Sequence, residues 1–181
     1  SVSSTSYINA AYTQNLSGSV EGMSGATWKY GSKVEVTLNS DGSAKSTKYI
    51  NAAYTQNLSG SVPGVSGATW RTGSSVEVAL NEDGTAKSTT YKNAAYTQNL
   101  SGSVQGLSGA TWHTGSKLVV ELNSDGTTKS TSYTGGYTQK LSGTVEGLSN
   151  TSWKSGSTVE VYLNPDGTTK SVDYSNAKYS T

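Results

Sequence analysis

One heptapeptide recurs four times along the chain and restricts what it can fold into. Tyr12-Thr13-Gln14-Asn15-Leu16-Ser17-Gly18 returns as Tyr54 to Gly60, as Tyr96 to Gly102 and, with Lys140 in place of the Asn, as Tyr137 to Gly143. The spacing is 42, 42 and then 41 residues. A fixed period in this range marks a repeat architecture, in which each copy buries its apolar face against its neighbours. The missing residue lies just before Tyr137, where Tyr133-Thr134-Gly135-Gly136 replaces the Tyr-x-Asn-Ala-Ala of the earlier copies.

Within a copy the pattern is that of strands. Tyr12, Gln14, Leu16, Gly18 and Val20 share one face under a period of two, opposite Thr13, Asn15, Ser17 and Ser19. Val34, Val36 and Leu38 alternate with Lys33, Glu35 and Thr37, as in a half-buried strand. Asn39-Ser40-Asp41-Gly42 and its copies at Asn81, Asn123 and Asn164 then predict a tight hairpin, with Gly at the positive-φ position. Pro165 fits the second position of a type I turn. Ala44 to Tyr49 is the return strand, and Gly22 to Trp28 reads as a loop running into a short strand. Nothing carries a helical stripe.

The expected fold is therefore all-β: four tandem repeats of antiparallel strands in one pseudo-symmetric, barrel-like or propeller-like domain spanning 1–181. The units run over about 9–50, 51–92, 93–133 and 134–174. Residues 1–8 match a closing strand (Ser3-Ser4-Thr5-Ser6-Tyr7-Ile8-Asn9 against Ser46-Thr47-Lys48-Tyr49-Ile50-Asn51) and form an extra one. That makes five closing strands for four of everything else. Such a count fits an edge cap better than simple closure, and two stacked sandwiches are also compatible with it.

Composition narrows the chemistry. Ser and Thr make up 57 of the 181 residues, and charged residues only 14%, with 13 basic against 12 acidic. A net charge of +1 gives no electrostatic footprint for nucleic acid or anionic lipid, and no apolar run suits a membrane span. Cysteine is absent, which removes disulfides, thiolate metal sites and cysteine nucleophiles together. The opening Ser1-Val2-Ser3-Ser4 holds no basic segment followed by an apolar one, so no signal peptide is read there. A secreted or cell-surface setting is the expectation, as for a processed mature chain.

Catalysis is not expected. His113, the single histidine, fills a slot held by Lys29, Arg71 and Lys154 in the other copies and reads as a surface residue pointing away from the Trp face. No triad, zinc site or phosphate-binding loop can be assembled, and no cofactor is called for. Glu35, Glu77 and Glu160 with the four turn Asp residues are the candidates for paired carboxylates, and Val119 breaks the Glu series. Asn-x-Asp-Gly offers calcium too few oxygens and is better explained as a turn. The sequons at Asn15, Asn57, Asn99 and Asn150 read as by-products of the repeat.

The positive candidate is a set of polar groups around one Trp per copy. Sugars present apolar C–H faces and a rim of hydroxyls, so a sugar site needs an aromatic platform with rigid amide and carboxylate partners. Each copy supplies them: Gln14, Trp28, Asn39 and Asp41; Gln56, Trp70, Asn81 and Asp83; Gln98, Trp112, Asn123 and Asp125; Gln139, Trp153, Asn164 and Asp166. The 12 Tyr and the absence of Phe suit hydroxyl-rich ligands in the same way. The expected function is a multivalent lectin whose partners are glycans or glycoproteins, with avidity from repeated weak sites. The alternative is a structural or adhesive β-repeat with no small ligand, in which the Trp plugs the core, Gln bonds a neighbouring repeat and Asn and Asp close the turn. Ice binding is a minor third reading, weakened by the lack of a Thr-x-Thr ladder.

Overall fold

A computed structural model describes residues 4–181. Each repeat contributes four strands. The first supplies β1 (Ala11–Asn15), β2 (Ala26–Trp28), β3 (Lys33–Leu38) and β4 (Ala44–Ile50). The second supplies β5 (Ala53–Asn57), β6 (Ala68–Trp70), β7 (Ser75–Leu80) and β8 (Ala86–Lys92). The third supplies β9 (Ala95–Asn99), β10 (Ala110–Trp112), β11 (Lys117–Leu122) and β12 (Thr128–Thr134). The fourth supplies β13 (Gly136–Lys140), β14 (Ser152–Trp153), β15 (Thr158–Leu163) and β16 (Thr169–Ser175), and β17 (Tyr179–Ser180) follows. The protein is all-β and antiparallel; no helix among the described residues is long and apolar enough to cross a membrane.

The sequence repeat is not the sheet. Every four-stranded sheet takes its edge strand from the preceding repeat: β2-β5-β7-β8, β6-β9-β11-β12 and β10-β13-β15-β16. The Trp strand of one copy adds to the Tyr-Thr-Gln strand of the next, with Ala26 opposite Gln56, Thr27 opposite Thr55 and Trp28 opposite Tyr54. The first sheet, β1-β3-β4, has three strands among the described residues, and β14 pairs with β17 alone. Among the described residues the five sheets are open, and none closes into a barrel. The chain falls into two compact units: one holds β1-β3-β4 and β2-β5-β7-β8, and the other holds the remaining three sheets.

The core is built from small side chains. Val34, Val36, Val76, Val78, Val120, Val159 and Val161 are buried on the central strands, with Ala26, Ala68 and Ala110 at the start of the Trp strands. Burial of one Val side chain contributes roughly 2 kcal/mol. The Trp rings themselves are half-buried. Two expectations need correction. The strand from Tyr12 to Val20 stops at Asn15, because Gly18 turns the backbone to φ +75, and only Ser19 pairs again, opposite Thr27. The extra closing strand over 1–8 lies partly outside the described residues, and residues 4–8 form no strand.

Tyr7 nevertheless behaves as the closing-strand tyrosines do. Its N–H donates to the Ser40 carbonyl at 2.9 Å, as Tyr49 N–H donates to Glu82 at 2.8 Å and Tyr133 N–H to Pro165 at 2.8 Å. The ring then lies flat on the turn glycine of the next repeat. A Cβ on Gly84 would stand 2.9 Å from the Tyr49 ring, so this glycine is both a φ > 0 residue and a seat for the preceding repeat.

Candidate functional site

The expected hairpins form, and their polar residues bond within the turn. In the first, Asp41 Oδ1 accepts from Ser43 N–H at 2.9 Å and from Ser43 Oγ at 2.6 Å, while Asn39 Nδ2 donates to Ser43 Oγ at 3.0 Å. Thr85, Thr127 and Thr168 serve Asp83, Asp125 and Asp166 in the same way, as they do Asn81, Asn123 and Asn164. The Ser or Thr hydroxyl, and then the backbone N–H, hold all four Asp carboxyls below their ordinary 3.8. A general acid needs the opposite shift.

Gln and Trp occupy different ground. Gln56 and Gln98 sit on the first strands of their repeats and reach back across the junction, donating through Nε2 to the Ser24 and Ser66 carbonyls at 3.4 and 3.1 Å. Trp28 stands edge-on to Tyr54, with ring centres 5.9 Å apart, and is stacked on Tyr49 at 6.3 Å. Trp70 meets Tyr96, Trp112 meets Tyr137 and Trp153 meets Tyr179 edge-on in the same way. Such pairs contribute about 0.5–1.5 kcal/mol beyond area burial.

A groove opens at this junction in each compact unit. The first has a volume of about 740 Å³ and brings Gln14, Asn15 and Trp28 of one repeat to Tyr49, Tyr54 and Gly84. The second, of about 910 Å³, brings Gln98, Asn99 and Trp112 to Tyr133, Tyr137 and Asp166. The two linings correspond residue for residue over most of their length, shifted by two repeats, so the groove is a property of the junction. Of the predicted site residues, Gln14 and Trp28 meet in one groove, and Gln98, Trp112 and Asp166 in the other. Asn39, Asp41 and the other turn Asn and Asp residues, Asp166 excepted, line neither groove.

Sequence reasoning missed the closing-strand tyrosines, Asn15 with its copies, and a set of buried serines. Ser32, Ser74, Ser116 and Ser157 are 1–2% exposed and follow an invariant Gly. Ser116 Oγ donates to the Gly136 carbonyl at 2.9 Å and accepts from Gly136 N–H at 3.1 Å, clasping the next repeat. Ser32 clasps Ala53 and Ser157 clasps Lys178 identically. In a chain so rich in Ser, only the recurrence of Gly-Ser at one phase marks these residues.

His113 is corrected as well. It is half-buried, with Nε2 2.9 Å from Thr138 Oγ1 and its ring 5.4 Å from that of Tyr162. Tyr162 donates to Glu160 at 3.1 Å, and that carboxylate pushes the phenol above its ordinary value. In the second repeat the same face carries Glu77, bridged by Lys29 at 2.6 Å and Lys92 at 2.7 Å, whose ammonium groups hold its carboxyl low. Among the described residues no three His, Asp or Glu side chains gather as a metal would require. No known protein family, curated protein or solved structure matches the chain.

Proposed function

We propose that the protein is a carbohydrate-binding protein, a multivalent lectin whose sites are the grooves between consecutive repeats. The observation that supports this most is the recurrence of one groove with one lining: a half-buried Trp beside two tyrosines, faced by an exposed Asn and a Gln amide. The aromatic rings suit the C–H face of a sugar, and the amides suit its hydroxyls. Both volumes fall in the ordinary range for small-ligand sites. Low net charge fits neutral glycans, and the arrangement asks for no metal and no catalytic group.

The structural repeat is the second reading. It is favoured by the uses the fold makes of the same residues: Gln56 and Gln98 bond neighbouring backbone, and the turns absorb Asn and Asp. A glycan array probed with the labelled chain separates the two. The expected result is binding that falls at least tenfold when Asn15 and Asn99 are both replaced by Ala. Both side chains are exposed at strand ends, so circular dichroism is expected to be unchanged. A blank array with folded protein would leave the structural repeat.

A further inference from the structure

Five of the nine large apolar side chains exposed among the described residues gather at two places in the fold. Tyr7, Ile8 and Tyr12 lie beside the first sheet; Tyr174 and Tyr179 lie against Trp153 of the last Trp strand. Each group is one half of the junction that joins consecutive repeats. Tyr12 corresponds to Tyr54, which meets Trp28, and Tyr174 corresponds to Tyr49, which lies on Gly84. The residues of β1, Ala-Tyr-Thr-Gln-Asn, are those of β5 and β9. Both of the latter carry an Ala-Thr-Trp strand on the edge that β1, among the described residues, leaves free.

The backbone of that free edge is fixed by alternation. Lys29 N–H donates to Ala53 and Asn57 N–H to Gly25, so Ala53, Thr55 and Asn57 face the added strand. Their counterparts in β1 are Ala11, Thr13 and Asn15, while Leu16 N–H and the Ala10 carbonyl bond toward β3. Both half-junctions hold only short occupants. Tyr7 sits on Gly42 from a segment that forms no strand, and β17 gives Trp153 a two-residue partner.

We propose that the chain associates head to tail by strand exchange, the β14 strand of one copy leaving β17 and adding to the free edge of β1 in a second copy. The register is that of the internal junctions: Ser152 opposite Thr13 and Trp153 opposite Tyr12. Tyr174 takes the seat on Gly42, and Ser157 clasps Ala11. Three paired residues replace two. The contact is heterologous, so it propagates from copy to copy rather than stopping at a dimer. It is an edge-strand addition of the kind that an uncovered sheet edge invites.

Sedimentation equilibrium of the full chain tests this. The expected mass rises with concentration above 18.8 kDa. Ser180→Pro removes an N–H facing β14, weakens the occupant and moves half-association to about tenfold lower concentration, or roughly 1.4 kcal/mol. Thr13→Pro keeps the bonds to β3, removes the outward N–H and moves half-association at least tenfold higher, whereas Thr13→Val leaves it in place. A second readout does not depend on the proline variant folding. The chain has no cysteine, so the Thr13→Cys, Ser152→Cys double variant reports the register on its own. A ladder of disulfide-linked multimers supports the proposal. Mass that stays monomeric for both the parent chain and Ser180→Pro, association indifferent to Thr13→Pro, or a double variant lacking intermolecular disulfides each overturns it.

Discussion

Replacing Gly136 with Ala lowers the melting temperature by about 10 °C, corresponding to roughly 3 kcal/mol in a chain of this size. The cause is the 41-residue spacing. Between β8 and β9 the chain turns through Asn93 and Ala94, with Asn93 at φ +48; between β12 and β13 Gly135 turns alone, at φ +107. Gly135 also presents the carbonyl that receives Leu163 N–H, the role of Ala94 toward Leu122. One residue therefore does the work of two, and the backbone is drawn inward. A Cβ on Gly136 would collide with the Val161 carbonyl oxygen, where neither backbone can yield without opening the β13–β15 pairing. Restoring Asn-Ala-Ala in place of Gly135-Gly136 recovers the loss, because Ala53 and Ala95 carry that Cβ in the longer repeats. Calorimetry of the two variants checks both statements; equal melting temperatures for parent and Gly136→Ala would sink this account of the short repeat.

Ser116→Ala costs about 2 kcal/mol, seen as a fall of roughly 5 °C. The side chain is 1% exposed and its hydroxyl both donates to and accepts from Gly136, so its loss strands a buried N–H. An unmade bond of that kind costs about 1–3 kcal/mol, against a few tenths for an exposed serine. Ser46→Ala on β4 is the exposed control and is expected to change nothing. Equal effects from the two substitutions would remove the clasp from the list of forces joining repeats. Since Ser116 and Gly136 touch, their variants combine non-additively.

Strand identity was readable because apolar residues alternate cleanly over Val34, Val36 and Leu38, and the hairpins because Asn-x-Asp-Gly has local chemistry. The junction was not readable, since it pairs residues from different copies and a period is blind to which copy supplies the partner. Trp28 illustrates this: its neighbours Tyr49 and Tyr54 flank the boundary between repeats, and its sheet belongs to the second copy. Asn51, at φ +48, reads in sequence as one more polar residue, although a left-handed turn there favours Asn. Asn150 repeats the lesson, occupying at φ +56 the place of Gly25, Gly67 and Gly109. For the candidate site, Gln and Trp stood out by residue type, whereas the turn Asn and Asp residues bond within their own hairpins, and of these only Asp166 lines a groove.

The grooves at the junction are the central claim, and the four indole N–H signals of the full chain test it most directly. A proton–nitrogen spectrum, with each signal assigned by a single Trp→Phe substitution, is recorded while neutral saccharides are added one at a time. Trp28 and Trp112 stand in the two grooves, so their signals are expected to shift together and to saturate with one of the sugars. Indole signals that stay fixed through the whole panel, in a chain whose spectrum remains that of the folded protein, would contradict the claim.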